Sequence, residues 1–193
     1  MNTKDKILHA ALVLFNAQGT AAVSTNHIAE AAGISPGNLY YHYKDKEDII
    51  RALFERLFAA WDVAFGLPTD RMPTLADVQA LVRDNFRIVS AYAFAHRELV
   101  ALLRQDTVLH DRFIAIRSRG YEGFREIVAV LTMSGVLKPM PASEDADRLA
   151  ELLWLISEFW VSSLEVGGGS VDEAGMQRGV DLMLFALQPY LSG

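Results

Sequence analysis

Residues 24–46 read STNHIAEAAGISPGNLYYHYKDK, and the helix caps in this stretch predict two short helices joined by a tight turn. Ser24 is placed to cap the first helix, and Gly33 can adopt the left-handed conformation that ends it. Ser35 is placed to cap the second helix. Pro36, which follows it, is typical of the first position inside a helix.

The apolar residues of the same stretch predict which side of each helix is buried. On the first helix Ile28 and Ala32 share one face, and on the second Leu39 and Tyr43 lie four residues apart on another. Asp45 then caps a further helix. Two short helices that each bury one face and are joined by a tight turn form a helix-turn-helix.

The chain from Thr3 to Phe58 resembles the N-terminal DNA-binding domain of the TetR family of bacterial transcriptional repressors. The resemblance rests on spacing, caps and residue classes, and its motifs are Ile28-Ala29, Ala32-Gly33-Ile34-Ser35, Leu39-Tyr40, Tyr43 and Lys46-Glu47. It implies an all-α protein in which a helix-turn-helix domain at 1–46 is joined by a fourth helix to a domain at 47–193. That second, helical domain would dimerise and bind an effector.

The resemblance also implies which residues contact DNA. The second motif helix would enter the major groove with Pro36, Gly37, Asn38, Tyr40, Tyr41 and His42. Of these, Asn38 can pair with adenine, while Tyr41 and His42 can reach base edges or thymine methyl groups. The expected phosphate contacts are Thr25, Asn26, Tyr40, Lys44 and Lys46.

Two features separate this stretch from many members of that family. His27 stands where an acid often completes the helix cap, and the recognition helix contains no lysine or arginine. Base readout would therefore depend on Asn38, Tyr41 and His42. The alternative for Tyr40 and Tyr41 is core packing, but other residues already supply the buried face of this helix.

Composition limits the class of protein. The 193 residues suit one or two compact units, and the 51% of apolar residues exclude a globally disordered chain. No cysteine is present, which excludes disulfides and thiolate zinc sites and fits a reducing cytoplasm. The net charge of −6 is unusual for a DNA-binding protein, but residues 1–56 are neutral, with six basic and six acidic residues.

The N-terminus superficially resembles a secretory signal peptide. Lys4 and Lys6 precede an apolar run from Ile7 to Phe15. The apolar residues of this run recur at helical spacing, as in a surface helix with one buried face, and the polar residues after it come too early for a bilayer span. We therefore expect neither a signal peptide nor a membrane segment.

The rest of the chain predicts further helices and no strands. Prolines and apolar periodicity place these helices at 45–65, 74–95, 96–104, 107–134, 143–166 and 171–189. The Gly167–Ser170 run is expected to be a flexible connection, because it lacks the strand and the lysine of a phosphate loop. Gly120 and Gly123 inside a helix predict a kink or a close helix approach near a cavity.

The last two helices are apolar on more than one side. Helices that are apolar all round are buried all round, so two copies of this pair are expected to form a four-helix dimer interface. The residues expected at this interface are Leu149, Leu153, Ile156, Trp160, Val180, Met183, Leu184 and Leu187.

The middle helices carry more aromatic area than a small bundle needs, which favours an apolar effector cavity with a few polar groups. The residues expected to line it are Phe86, Arg104, Tyr121, Phe124, Trp154 and Glu158. Ordinary core packing is the alternative for each aromatic residue. The expected effector is a small, mostly apolar or amphipathic molecule that releases DNA, with the fourth helix as the lever.

An enzyme and a helical adaptor that binds only protein are the alternatives to a DNA-binding repressor. His96 and His110, with Glu98, Asp106 and Asp111 nearby, could be imagined as a metal or acid–base cluster. No zinc-protease, nucleophile-elbow or phosphate-loop motif accompanies them. We expect no catalytic residue, no metal and no cofactor.

Overall fold

The computed structural model describes residues 2–140 and 143–192, and within these ranges the chain is helical. The ten α-helices found there are α1 Thr3–Gln18, α2 Thr25–Ala31, α3 Pro36–His42, α4 Lys46–Ala64, α5 Leu75–Ala91, α6 Ala93–Arg97, α7 Leu99–Gln105, α8 Thr107–Met133, α9 Ser143–Val166 and α10 Glu173–Leu187. A 3₁₀ turn follows at Gln188–Tyr190. The predicted all-α fold is confirmed.

Side chains cap the helices of the motif as the sequence predicts. The hydroxyl of Ser35 accepts the backbone N–H of Asn38 at the start of α3, and the carboxylate of Asp45 accepts that of Asp48 at the start of α4. Gly33, at the end of α2, has a φ of +67°, in the left-handed region. These local signals fix where the motif helices begin and end.

The first hydrophobic cluster joins the helix-turn-helix to the middle of the chain. It holds the buried faces of α1 to α4, and Phe54 of α4 lies with its ring centroid 6.2 Å from that of Phe94 in α6. Phe58 lies 6.1 Å from Phe113 in α8. The expected domain boundary at residue 46 coincides with the start of α4, but the apolar packing continues across it.

The second cluster is formed by α5, α8, α9 and α10. Where α10 crosses α5 and α9, a Cβ atom on Gly179 would come within 2.3 Å of the Phe86 ring and 2.8 Å of the Trp160 indole. The missing side chain at Gly179 therefore lets these three helices approach closely.

Two of the predicted helices are broken. The sequence predicts one helix over 74–95, but α5 ends at Ala91 and α6 begins at Ala93. Asn16 of α1 causes this break, because its amide donates to the Ala91 carbonyl at 2.8 Å and accepts the Phe94 N–H at 3.0 Å. These two backbone groups would otherwise extend the hydrogen-bond ladder of a continuous helix. A second break, at Glu98, separates α6 from α7.

Candidate nucleic-acid interface and ligand cavity

The cap of α2 explains the unusual histidine of the motif. The hydroxyl of Ser24 accepts the backbone N–H of His27, and the N–H of Ser24 donates to Nδ1 of His27, both at 3.3 Å. The imidazole thus takes the reciprocal role that an acid has in the common capping box. The start of α2 therefore keeps a reciprocal side-chain cap.

One face of α3 is buried and the other is free. Leu39 is fully buried and Tyr43 nearly so, as the sequence predicts. Tyr41 is 83% exposed, and its ring contacts that of His42 edge-on, with centroids 5.0 Å apart. The residues expected to enter the major groove that are exposed here are Pro36, Gly37, Asn38, Tyr40 and Tyr41, while His42 is half-buried.

Four of the residues expected to hold phosphates lie at or near the same surface. The hydroxyls of Thr25, at the start of α2, and Tyr40, in α3, lie 2.9 Å apart and join the two helices. Asn26 is exposed beside Thr25, and Lys44 is exposed just after α3.

Lys46 has a different environment from the other expected phosphate contacts. Its ammonium group donates to the backbone carbonyls of Thr20 at 2.7 Å and Val23 at 3.1 Å. Two of its three N–H donors are thereby used to hold the connection between α1 and α2. The structure gives Lys46 an internal structural contact that the sequence did not predict.

A cavity of about 500 Å³ lies in the larger part of the protein. Its walls come from α4, α5, α8, α9 and α10, and most lining residues are apolar. Gly120 and Gly123 lie on the α8 wall. A Cβ atom on Gly120 would come within 2.5 Å of the Trp154 ring, so the predicted close approach is found there, while α8 runs through both glycines without a break.

Three of the six expected effector residues line this cavity: Phe124, Trp154 and Glu158. Tyr121 supports one of them, because its ring stacks on that of Trp154 with centroids 5.3 Å apart. Two others are placed elsewhere. Phe86 is buried in the second cluster against Trp160, and Arg104 lines a separate, shallower cavity beside α7. The assignment of Phe86 and Arg104 to the effector cavity is therefore corrected.

The lining also includes residues that sequence reasoning missed. The polar ones are Asn85 and Ser157, and the apolar ones include Trp61, Val78 and Val82. The sequence places these residues within predicted helices, but periodicity does not show where five helices leave a space between them.

An ion pair closes one part of the wall. Nη1 of Arg117 donates to both carboxylate oxygens of Glu158, at 2.6 and 2.5 Å, and Nη2 donates to the Tyr121 hydroxyl at 3.2 Å. The guanidinium also lies 5.4 Å from the Trp154 ring centroid. Burial raises the pKa of Glu158, and the charge of Arg117 opposes that rise. The positive charge of Arg117 and the negative charge of Glu158 cancel, so this part of the wall is polar but has no net charge.

For four of the eight residues expected at the dimer interface, the assignment needs correction. Leu149, Val180, Met183 and Leu187 are all at most 6% exposed in the single chain, where they belong to the second cluster. Leu153, Ile156, Trp160 and Leu184 are half-buried and pack against the same cluster. These side chains face the protomer's own core. The outward apolar residues of α9 and α10 are Leu152, Leu155, Phe159, Val166, Leu182 and Phe185.

The histidines considered for an enzyme site do not form one. His96 is buried, its Nδ1 lies 3.4 Å from the Glu158 carbonyl oxygen, and burial lowers its pKa to about 4. His110 is exposed and contacts Asp111. Over the ranges 2–140 and 143–192, no three His, Asp or Glu side chains meet in a way that could hold a metal ion. None of the helices described is both long and apolar enough to span a bilayer.

Two family models match the chain over nearly its whole length. Residues 7–53 match the model described as bacterial regulatory proteins of the tetR family, and residues 59–193 match the model described as bacterial transcriptional repressor. The chain is also similar to a solved TetR-family transcriptional regulator from Marinobacter aquaeolei VT8. The two share 33% identity over 99% of this chain and 92% of that one, with a TM-score of 0.89.

Curated relatives are more distant. The chain is 29% identical to the transcriptional repressor KstR2 of Rhodococcus jostii over 82% of this chain and 77% of that protein. It is 25% identical to the probable regulator YttP of Bacillus subtilis, but the match spans only about half of that protein, 55% of its length. The family models and the Marinobacter structure together show that this chain belongs to the TetR family of DNA-binding transcriptional regulators.

Proposed function

We propose that the protein is a repressor that binds a pseudo-palindromic DNA operator as a homodimer and is released by a small, mostly apolar ligand. The observation that carries this proposal is the free face of α3, where Asn38, Tyr40 and Tyr41 are exposed while Leu39 on the opposite side is fully buried. A helix-turn-helix reads DNA through such a face of its second helix. The site of action is the cytoplasm, where the chromosome lies.

The distribution of charge on this surface supports separate residues for base contacts and for phosphate contacts. The recognition helix itself has no lysine or arginine, so base discrimination depends on Asn38, Tyr41 and His42. The phosphate contacts are supplied by Thr25, Asn26, Tyr40, Lys44 and backbone N–H groups. Lys46 contributes to them with the one N–H that the turn between α1 and α2 leaves free.

The outward faces of α9 and α10 support the dimer. Leu152, Leu155 and Phe159 follow one another at helical spacing on α9, and Leu182 and Phe185 do so on α10. An isologous contact between two copies would bury both stripes in one four-helix arrangement. Two recognition helices related by a twofold axis then require related half-sites, which is why a pseudo-palindromic operator is expected.

Helix α4 links the cavity to the DNA-binding region. Its first residue, Lys46, holds the turn between α1 and α2, and its last turns place Trp61 and Asp62 on the cavity wall. A ligand shifts the equilibrium between a DNA-binding and a released conformation only as far as it binds one conformation better than the other. A tenfold loss of DNA affinity requires about 1.4 kcal/mol of such coupling. We propose that α4 carries this coupling.

Selection from a random pool of duplex DNA tests the function directly. The expected result is a pseudo-palindromic sequence bound with an affinity that falls steeply as salt concentration rises. The Tyr43→Phe variant, which changes the buried face, is the matched control and should select the same sequence. Recovery of no sequence, or binding that is insensitive to salt, would instead favour the adaptor or enzyme alternative.

A further inference from the structure

The cavity contains an uncharged polar pair formed by buried Asn85 and half-buried Ser157. Asn85 of α5 is 4% exposed, and its amide Nδ2 donates to Ser157 Oγ of α9 at 2.9 Å. The Ser157 hydroxyl lies 3.2 Å from Asn85 Oδ1, to which it donates. Both residues line the cavity. The pair therefore presents amide and hydroxyl groups to a mostly apolar space.

Each partner stands at the end of an apolar stripe. On α5, Val78 and Val82 precede Asn85 at spacings of seven and three residues and line the same cavity. On α9, Leu149 and Leu153 precede Ser157 at spacings of eight and four residues and also line the cavity. Two stripes that are otherwise apolar thus both turn polar at the place where they meet.

The hydrogen-bonding capacity of Asn85 is only half used. An asparagine amide has two N–H donors and two acceptor lone pairs. In residues 2–140 and 143–192, Ser157 is the sole side-chain partner and accounts for one donor and one acceptor. A buried amide group without its full set of partners costs free energy, which a polar atom from a ligand can recover.

Two acidic groups of the wall are already paired with arginines, and a third, Glu126, lies at the exposed edge of the cavity. Glu158 is held by Arg117, and Asp62 at the rim is held by Arg119 at 2.6 Å. An ionic head group beside Glu158 or Asp62 would have to separate one of these pairs, whereas a neutral oxygen would not. The composition of the wall therefore favours an uncharged ligand.

We propose that Asn85 and Ser157 form the polar subsite of the cavity and bind one carbonyl or hydroxyl oxygen of an otherwise apolar, uncharged ligand. The spare N–H of Asn85 donates to that oxygen, and the spare lone pair of Asn85 accepts from a hydroxyl ligand. The apolar stripes of α5 and α9 contact the rest of the molecule. This inference rests on the proposed function only in taking the cavity to be the effector site.

The test compares two probes of nearly equal shape, diphenylmethane and benzophenone, by equilibrium dialysis against the full chain. They differ by a methylene in place of a carbonyl. Their affinity ratio is measured in the wild type and in the Asn85→Leu variant, so the solvation of each probe cancels in the comparison. We expect the ratio to favour benzophenone about three- to tenfold more in the wild type than in the variant.

Matched variants separate this effect from a change in cavity shape. Asn85→Ala leaves more space but also removes the amide, so it should give the same ratio as Asn85→Leu. Glu126→Gln alters a polar residue at the exposed edge of the cavity and should keep the wild-type ratio. The hydroxyl probe diphenylmethanol should follow benzophenone in every variant.

Three results would overturn the proposal. One is an affinity ratio that Asn85→Leu and Asn85→Ala leave unchanged, and another is the absence of binding by all three probes at their solubility limits. The third is photochemical attachment of bound benzophenone to peptides outside the cavity wall. No DNA is present in these measurements, so their failure and a failure of DNA selection are separate outcomes.

Discussion

Glu98 accepts two hydrogen bonds from Thr20, one from the backbone N–H at 3.0 Å and one from the hydroxyl at 2.5 Å. Glu98 separates α6 from α7, and Thr20 lies in the turn between α1 and α2. The carbonyl of Thr20 in turn accepts from Lys46 at the start of α4. One turn of the DNA-binding region is thus held from two other parts of the chain.

Removing the Thr20 hydroxyl should weaken this junction. In Thr20→Val the shape is kept, but Oε2 of the partly buried Glu98 loses its hydroxyl donor and keeps only the longer bond from the Thr20 N–H, at 3.3 Å. This change should lower the free energy of unfolding by about 1–2 kcal/mol. Thr20→Ser keeps the hydroxyl and should remain close to the wild type. Urea denaturation measures both, and a loss of stability in Thr20→Ser with none in Thr20→Val would show that the methyl group, not the hydroxyl, matters.

The two glycines of α8 should respond in opposite directions to alanine. At Gly120 the new Cβ would overlap the Trp154 ring, 2.5 Å away, and overpacking of this kind lowers stability by about 1–3 kcal/mol. At Gly123 a Cβ meets nothing within 4 Å, so alanine should raise helix stability by about 0.5–1 kcal/mol. Thermal unfolding of Gly120→Ala and Gly123→Ala gives the two signs, and shifts of the same sign would contradict the packing described.

Buried His96 should make stability depend on pH. Burial lowers its pKa to about 4 from an ordinary 6.5, so between these values the unfolded chain binds a proton that the folded chain does not. Stability should therefore fall as pH falls through this window, by up to about 1.4 kcal/mol per pH unit. Glu158, whose pKa is raised, acts in the opposite direction.

Comparison with His96→Gln isolates this contribution. The difference in unfolding free energy between the wild type and the variant should be constant above pH 6.5 and should change steadily as the pH falls to about 4. The other titrating groups cancel in this difference. If the difference in unfolding free energy stayed constant over the whole pH range, His96 would have the same pKa in the folded and the unfolded chain.

The helix caps could be predicted from the sequence because cap and capped residue are close neighbours in the chain. Ser24, Ser35 and Asp45 each bond to a group three residues away. The break between α5 and α6 could not be predicted, because its cause, Asn16, lies 78 residues from the Phe94 N–H that it accepts. Local patterns contain no information about such distant partners.

The expected effector residues also show that local patterns do not determine tertiary packing, here for two neighbouring residues of one helix. Aromatic content favoured Phe86 as a lining residue, but the cavity is lined by its neighbour Asn85. Phe86 instead packs under α10, in space that exists only because position 179 is glycine. The choice between these two neighbours depends on how three helices pack, which periodicity alone does not determine.

The outward stripe of α9 and α10 should control assembly. Phe185 is 71% exposed in the single chain, and Phe185→Lys would place a charge in the proposed interface without disturbing the protomer core. Light scattering should then show a monomer, whereas we expect the wild type to be a dimer. Met133→Lys, at a residue 72% exposed outside this stripe, is the control and should remain dimeric. A monomeric wild type would contradict the proposed dimer interface.

Tyr41 and Lys44 should divide base readout from phosphate binding. Tyr41 is exposed and touches only the neighbouring His42 among the aromatic rings described, so Tyr41→Ala should leave the fold intact and change the sequence selected from a random duplex pool. Lys44→Ala should select the same sequence but bind every duplex more weakly, and the slope of log affinity against log salt should fall by about 1. Lys46→Met tests the structural contact, because loss of its bonds to Thr20 and Val23 should lower the melting temperature, which neither of the other variants changes. If Tyr41→Ala kept the wild-type sequence preference, α3 would not read bases through this residue.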